Sequence, residues 1–418
     1  MEKLLGLFIG LKLAMLALEM WLRRLNRNYY LDQRRQEEAA GTLGIGAEDF
    51  AKMLSYSKAK YRFANYAAPL QLLGFLLFVA LGGFGLLEQG ALHLAADLGG
   101  GGILTGLLFF ALLGGLSLLT SLPFDLYSQF VIEEKHGFNR QSLGGFFGDL
   151  LKSLLVSLLL GTPVLAAILW FMASSGSLWW LWVWVFITAF SIVAAWLFPT
   201  FIAPLFNKFT PLSEGSLKEA IFALAAKVKF KTSQVFIMDA SRRSGHGNAY
   251  FTGLFGEKRI VLFDTLINKM SDQQVVAVLA HELGHFKLRH VFWGMIRGIV
   301  MSGLIFYGLS LCLPLQDFYH AFYFSGVSDF SALVVFSQWY GLLSFWLQPL
   351  QSAWSRKNEF AADRFAVETM AGSQDLRSAL INLCESNQTM PLAHPLFSLV
   401  YYSHPPLLER ITALDKSS

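Results

Sequence analysis

The feature that most constrains the fold of this chain is a set of seven apolar segments. Each is close to the roughly 20 residues that an α-helix needs to cross a hydrocarbon core about 30 Å thick. Hydrophobic residues make up 54% of the 418 residues and charged residues only 15%, against about 25% in soluble domains. The sequence therefore predicts a mainly α-helical integral membrane protein. The predicted spans are 4–22, 69–88, 102–123, 149–172, 178–201, 291–313 and 330–350.

Lys and Arg residues are distributed unevenly among the segments that connect these spans. Segment 23–68 carries nine and segment 202–290 carries twelve, whereas the connections 89–101, 173–177 and 314–329 carry none. With seven spans, the rich and the poor connections fall on opposite faces, and the positive-inside rule puts the rich ones in the cytoplasm. The net charge of +4 follows from this bias. We therefore expect the lipid bilayer, and no nucleic acid, as a partner.

The same pattern predicts four parts of the chain. Residues 1–201 are expected to hold the first five spans, 202–290 a cytoplasmic segment, 291–350 the last two spans, and 351–418 a second cytoplasmic segment. The first cytoplasmic segment opens with an amphipathic pattern over 214–230, which predicts a helix. Strand-like runs follow, and we expect them to form a small β-sheet. These runs are 235–238, 249–252 and 259–263.

The run HELGH at 281–285 indicates the chemistry. Residues 271–274 fit a capping box, so we expect the run to lie on a helix. Two histidines four residues apart share one helix face and can bind one zinc ion, while Glu282 can accept a proton from a water at that ion. The run therefore predicts metal-assisted peptide hydrolysis. The alternative is a helix whose His and Glu side chains only face solvent.

Zinc needs a third protein ligand, and the best candidate lies in the run NEFAAD at 358–363. This run follows the seventh span, so we expect it to continue that helix into the cytoplasm. Glu359 and Asp363 are four residues apart and share a face. One of them can bind the metal while the other accepts a hydrogen bond from a ligating histidine. On pattern alone, a solvated helix face with Glu–Arg pairs is an equally good interpretation.

HELGH before one span and NEFAAD after another resemble the type I CAAX prenyl proteases, which are seven-span zinc metalloproteases of the gluzincin group. Further runs resemble signatures of that family. The resemblance implies seven helices that enclose a chamber, with a zincin-like metalloprotease domain on the cytoplasmic side. The further runs are EEKHGFN at 133–139, IAPLFN at 202–207, HGNAYF at 246–251 and SHPP at 403–406.

The resemblance also implies a metal centre and a catalytic base. One zinc ion is expected, with His281, His285 and Glu359 as its ligands. Glu282 is expected to act as the general base. Asp363 is expected to support the site from behind the ligands.

Other residues are expected to act around this centre. His404 resembles a family histidine that is suited to stabilising the oxyanion of the tetrahedral intermediate. Asn248, with its neighbours Ala249 and Tyr250, is expected to bind substrate, and Arg410 to be a structural or supporting cation. For His404 and Asn248, local turn chemistry is the alternative.

The leading hypothesis is therefore an integral membrane zinc metalloendopeptidase that removes C-terminal residues from prenylated substrates. One alternative keeps the chemistry but assigns a membrane-protein quality-control role without lipid specificity. Another, from a different class, is a transporter or binding protein with structural zinc. A site-two-type intramembrane protease fits less well, because HELGH lies at the cytoplasmic end of a span.

The cellular membrane is the last expectation. The chain is shorter than eukaryotic family members, and no endoplasmic-reticulum retrieval signal is evident. These features favour a bacterial homologue in the inner membrane, with its active site facing the cytoplasm. In a eukaryote the corresponding membrane is that of the endoplasmic reticulum.

Overall fold

The computed structural model describes residues 2–252 and 258–416. Seven helices within these ranges are long and apolar enough to cross a bilayer, which confirms the predicted number and a mainly α-helical membrane fold. The helices of the first half are α1 (Glu2–Leu31), α2 (Gln33–Leu43), α3 (Ala47–Ala80), α4 (Gly83–Asp97), α5 (Gly102–Tyr127), α6 (Leu143–Ser174), α7 (Trp179–Leu197) and α8 (Ala203–Phe206).

The second half contains shorter helices, two long membrane helices and a sheet. Its helices are α9 (Ser216–Lys227), α10 (Asp264–Ile267), α11 (Asp272–Lys287), α12 (His290–Cys312), α13 (Gln316–His320), α14 (Asp329–Met370), α15 (Gln374–Ser386), α16 (Pro395–Tyr401) and α17 (Leu407–Asp415). Its strands are β1 (Phe209–Pro211), β2 (Thr232–Met238), β3 (Ala249–Thr252) and β4 (Lys258–Phe263).

The second predicted span is placed wrongly. Residues 69–88 do not form one helix, because α3 ends at Ala80 and α4 begins at Gly83. Between them Gly82 has a φ of 72°, a left-handed conformation that glycine adopts without steric cost and that commonly ends a helix. The second span is instead provided by α3.

The seventh span belongs to the longest helix, α14. Its 42 residues extend for about 63 Å at a rise of 1.5 Å per residue, which is roughly twice the thickness of a hydrocarbon core. Only the first half of α14 can therefore lie in lipid. The second half projects beyond the membrane and carries the run 358–363, as the sequence predicts.

The sheet has the strand order β1-β2-β4-β3. Strand β2 pairs with β4 in parallel, and β3 pairs with β4 antiparallel. The three predicted strands are confirmed with small changes in their bounds, and β3 lies at one edge of the sheet. Strand β1 is not predicted, because three residues that include a proline give no readable alternation.

A large apolar core connects this sheet with the helices outside the membrane. Helix α9 confirms the amphipathic prediction, since Leu217, Ile221 and Leu224 are buried in that core. Leu279 and Leu283 of α11 are buried in it as well. The membrane helices differ, because four of the seven candidate spans have only 6% of their most apolar window buried inside the protein. Such exposed helices are compatible with the predicted chamber, which stays a prediction.

Candidate metal centre

Helix α11 begins where the sequence predicts. Ser271 accepts a hydrogen bond from the backbone N–H of Gln274 (3.3 Å), and the Gln274 side chain accepts one from the backbone N–H of Ser271 (3.1 Å). This capping box satisfies two backbone donors that a helix start leaves unpaired. The run HELGH therefore lies on a helix whose N-terminus is capped.

Gly284, within HELGH, allows α11 to approach α14 closely. A Cβ atom added to Gly284 would lie 3.1 Å from the Cα atom and 3.2 Å from the carbonyl oxygen of Ala362 in α14. These distances are shorter than ordinary van der Waals contacts. The missing side chain thus lets the two helices pack backbone against backbone, which brings the histidines of α11 next to Glu359.

Three potential metal ligands converge at this helix contact. Nε2 of His281 lies 3.4 Å from Oε2 of Glu359, and Nε2 of His285 lies 3.3 Å from Oε1 of Glu359. The two Nε2 atoms are 3.2 Å apart. His281 and Glu359 are buried, and His285 is partly exposed. One face of the group therefore stays accessible from a cavity.

These distances fit a metal ion. Ligand atoms at roughly 2.0–2.1 Å from a tetrahedral zinc ion are separated by about 3.3 Å, close to the observed spacings. Oε2 of Glu359 supports the fit independently. It is buried and makes no hydrogen bond to the described residues, although Nδ1 of His404 lies 2.8 Å away. An unsatisfied buried carboxylate oxygen is costly unless a cation neutralises it.

A buried ion pair supports His281 from behind. Nδ1 of His281 lies 2.8 Å from Oδ1 of Asp363. Arg410 donates from Nε to the other Asp363 oxygen at 2.9 Å and from Nη2 to the first. Asp363 therefore keeps the Nδ1 atom of His281 protonated and directs Nε2 towards Glu359. The two sequence candidates Asp363 and Arg410 lie in one network beside the candidate ligands.

His290 is a partner of the site that the sequence reasoning missed. Its Nδ1 lies 3.0 Å from Nδ1 of His285. Because Nε2 of His285 faces Glu359, we assign the proton to Nδ1 of His285, which then donates to His290. Arg289, with a φ of 58°, provides the turn that starts α12 at His290. The available signal was a third histidine five residues after HELGH.

Burial perturbs the pKa values of two residues in HELGH. Burial raises the pKa of Glu282 above its usual range, although His281 and His285 partly oppose this. Burial lowers the pKa of His281, but its contacts with Asp363 and Glu359 outweigh that effect and raise it to about 9. A carboxylate with a raised pKa is a stronger base, and such shifts are typical of catalytic sites.

Two cavities flank the group. One of about 460 Å³ is lined by Glu282, His285, Tyr250 of β3, and the ends of two membrane helices at Ala195 and Val291. This cavity therefore extends from the candidate metal ligands to the edge strand β3 and to the membrane boundary. A peptide in this cavity would therefore contact β3, the metal group and the membrane-helix ends together.

The second cavity, of about 500 Å³, includes Asn248, His404 and Arg410 in its lining. The His404 side chain is 67% exposed, so it is accessible to a substrate. Oδ1 of Asn248 accepts a hydrogen bond from the N–H of Ala249 at 2.8 Å. The side chain of Ala249 packs in the core, so only its backbone can meet a substrate.

Comparisons with known proteins identify the chain. Residues 28–208 match the description "CAAX prenyl protease N-terminal, five membrane helices", and residues 211–418 match peptidase family M48. A CAAX prenyl protease 1 homolog from Oryza sativa subsp. japonica is 39% identical over 89% of this chain and 88% of that protein. CAAX prenyl protease 1 from Saccharomyces cerevisiae is 36% identical over 89% and 86%.

The chain belongs to the CAAX prenyl protease family of M48 peptidases. The crystal structure of S. mikatae Ste24p matches it with a TM-score of 0.90 and 32% identity, covering 98% of both chains. This M48 protein is therefore a multi-pass membrane metalloprotease. That conclusion removes the support for a transporter or binding protein with structural zinc.

Proposed function

We propose that this protein is a zinc-dependent endopeptidase that cleaves C-terminal residues from prenylated CAAX proteins. The cavity beside Glu282 and His285 carries this proposal, because it reaches the membrane-helix ends at Ala195 and Val291. A peptide that is anchored in the bilayer by a prenyl group can reach such a cavity without leaving the membrane surface. The relatives named as CAAX prenyl proteases support the same substrate class.

His281, His285 and Glu359 are the proposed zinc ligands. Two imidazole nitrogens and one carboxylate are a ligand set that suits zinc and leaves a fourth position open for catalysis. A zinc ion held by this set supplies Lewis-acid activation of a water molecule and of the scissile carbonyl. Asp363, Arg410 and His290 hold the ligating histidines in their orientation.

Glu282 is the proposed general base. It accepts the proton that the attacking water loses as its oxygen bonds to the scissile carbonyl carbon. It then delivers that proton to the amide nitrogen of the leaving segment as the C–N bond breaks. His404, exposed next to Glu359, is placed to donate to the oxyanion that develops on the carbonyl oxygen.

The free edge of β3 is the proposed substrate-binding strand. The N–H of Phe263 in β4 donates to the carbonyl oxygen of Asn248 (3.1 Å). By antiparallel alternation, the next residue, Ala249, directs its backbone groups away from β4. Its N–H donates to Oδ1 of Asn248, so its carbonyl oxygen is the group with which a peptide would pair. An extended peptide can pair with this edge and pass Glu282. Asn248 and Tyr250, at the two cavities, would contact its side chains.

We also propose that the active site faces the cytoplasm. The charge-rich segments 23–68 and 202–290 support this orientation under the positive-inside rule. A bacterial inner membrane is the proposed location, and the endoplasmic reticulum is the counterpart in a eukaryote. Labelling of single cysteines introduced into these segments, in sealed membranes of known orientation, tests the sidedness.

Hydrolysis of matched peptides tests the substrate class. Purified protein in nanodiscs is given one CAAX peptide sequence in prenylated and unprenylated forms, and kcat/KM is measured for each. We expect a strong preference for the prenylated peptide and loss of both activities after chelation, with recovery on adding zinc. Equal turnover of the two peptides would support the quality-control alternative instead.

Replacement of the base tests the mechanism. Glu282→Gln should lower kcat by roughly 10²–10⁴, the usual contribution of a general base, and leave the bound zinc content unchanged. Glu219→Gln, an exposed substitution on α9, is the matched control and should retain full activity. Normal turnover by Glu282→Gln would contradict the assignment.

A further inference from the structure

A third cavity, with a distinct chemistry, lies between α1 and α3 and shares no lining residue with the two cavities at the metal group. Its volume is about 220 Å³, and five residues line it. Three of the five are cations, and the others are an aromatic and an aliphatic residue. We call it the basic cavity. Its lining residues are Arg27, Leu31, Lys58, Tyr61 and Arg62.

The cations of the basic cavity have no acidic partner. No carboxylate lines it, and within residues 2–252 and 258–416 no ion pair involves Arg27, Lys58 or Arg62. Three other cations of segment 23–68 are paired, namely Arg23 with Glu19, Arg35 with Asp32, and Lys52 with Glu48 and Asp49. Three like charges around a partly buried space repel one another, and an anion between them removes that repulsion.

The basic cavity lies at the level of the lipid headgroups. Arg23 donates a hydrogen bond to the carbonyl oxygen of Ala64 (3.1 Å), so these residues lie at equal height on α1 and α3. Arg62 is the last charged residue of α3, and the rest of that helix, up to Ala80, is uncharged. Arg27 lies one turn beyond Arg23, roughly 6 Å along the axis. The headgroup layer adds roughly 5–7 Å on each side of the hydrocarbon core.

The lining also suits a phosphate that is attached to an apolar molecule. The guanidinium of Arg27 lies 5.3 Å from the ring centroid of Tyr61, which holds it in place by a cation–π interaction. Guanidinium and ammonium groups donate strong, charge-assisted hydrogen bonds to phosphate oxygens. Leu31 and the Tyr61 ring provide an apolar wall for the apolar part of such a molecule. A free inorganic phosphate has no apolar part to contact this wall.

We infer that the basic cavity binds the phosphate group of an anionic phospholipid. Basic pockets between membrane helices at the cytoplasmic surface are a known way of holding such headgroups. Arg27, Lys58 and Arg62 contact the phosphate, and the acyl chains lie in the bilayer along α1 and α3. The site is separate from peptide hydrolysis, so it holds whichever peptide the enzyme cleaves.

Native mass spectrometry of the purified full-length protein tests this inference. Protein is mixed with phosphatidylglycerol or phosphatidylcholine of the same acyl composition, and lipid-bound species are quantified. We expect retained phosphatidylglycerol adducts and few phosphatidylcholine adducts. The triple variant Arg27→Gln, Lys58→Gln, Arg62→Gln should bind phosphatidylglycerol at least roughly tenfold more weakly, since each cation contributes to headgroup attraction.

A control variant separates a built site from general positive charge. It removes three exposed cations of the same segment that lie outside the basic cavity, through Arg24→Gln, Arg34→Gln and Lys60→Gln. This variant should keep wild-type affinity for phosphatidylglycerol. Equal weakening in both triple variants would reduce the effect to surface charge and overturn the site.

Two further arms complete the test. Arg62→Gln alone changes one exposed residue, so it should fold normally and weaken phosphatidylglycerol binding by a smaller factor. Unchanged binding in both Arg62→Gln and a folded triple variant would refute the inference.

Inorganic phosphate in excess should not displace the lipid. Its displacement of phosphatidylglycerol would assign the cavity to soluble phosphate instead.

Discussion

Leu279 in α11 and Leu159 in α6 are leucines within helices of one protein, but their surroundings are opposite. Leu279 is 1% exposed inside the core of the metalloprotease region, whereas Leu159 is 73% exposed on a membrane helix. In water, apolar contacts within the protein must determine the geometry. In a bilayer, lipid solvates the apolar side chains, and the helix persists because its backbone groups bond internally. The candidate metal centre therefore lies where packing is dense.

The largest expected effect comes from truncating one leucine in each region. Leu279→Ala should lower the free energy of unfolding by roughly 2–5 kcal/mol, because it leaves a cavity in a packed core. Leu159→Ala shortens an exposed side chain without leaving a cavity in a core, and it should cost under about 1 kcal/mol. Thermal unfolding of both variants in the same detergent measures the difference. Similar shifts would show that the two regions are stabilised in the same way.

The next effect concerns the buried ion pair of the metalloprotease region. Asp363→Ala should weaken zinc binding by roughly 10–100-fold, the usual cost of removing a partner of a ligating histidine. It removes the acceptor for Nδ1 of His281 and leaves Arg410 without its carboxylate. Competition with a chelator of known affinity gives the dissociation constant. Glu368→Ala, an exposed change on the same helix, should leave it unchanged, and equal losses would refute the role.

A smaller effect is expected where the two regions meet. His290, the first residue of membrane helix α12, contacts His285 through one partly buried hydrogen bond and an edge-to-face ring contact. His290→Ala should weaken zinc binding by about tenfold, at the lower end for such partners. His290→Gln, which keeps an acceptor, should recover part of the affinity. His93→Ala on α4 is the control, and no change in His290→Ala would limit His290 to helix packing.

The two regions also differ in how far the sequence predicts them. Span number follows from segment length and hydropathy, and the start of α11 follows from local capping at residues 271–274. The break at Gly82 was missed, because an apolar run does not reveal a left-handed glycine. The close approach of α11 to α14 could not be predicted from the sequence either, because Gly284 and Ala362 are distant in the chain and meet only through tertiary packing.

The interpretation of NEFAAD shows the same limit. On pattern alone, Glu359 and Asp363 fitted a solvated helix face as well as a metal site. The structure buries both, next to His281. His290 was missed for a related reason, because its contact with His285 depends on the turn at Arg289.

The smallest expected effect is the folding stability that is lost because Glu282, the candidate general base, is buried. The pKa of Glu282 is raised in the folded state because burial disfavours its charged form. The contribution of Glu282 to the free energy of unfolding is therefore most favourable below the pKa that this residue has in the unfolded state. That contribution is lost as the pH rises through the higher pKa of the folded state. Metal-free Glu282→Gln should thus unfold at a higher temperature than metal-free wild type at neutral pH, and this gain should shrink as the pH falls towards 4.5. A gain that is independent of pH would arise from packing instead of charge burial. The control Glu219→Gln should show no gain, because its side chain is exposed. A gain in Glu282→Gln alone would mean that the packed metalloprotease region holds an unfavourable charge at its centre. The exposed membrane helices lack the packing that could hold such a charge.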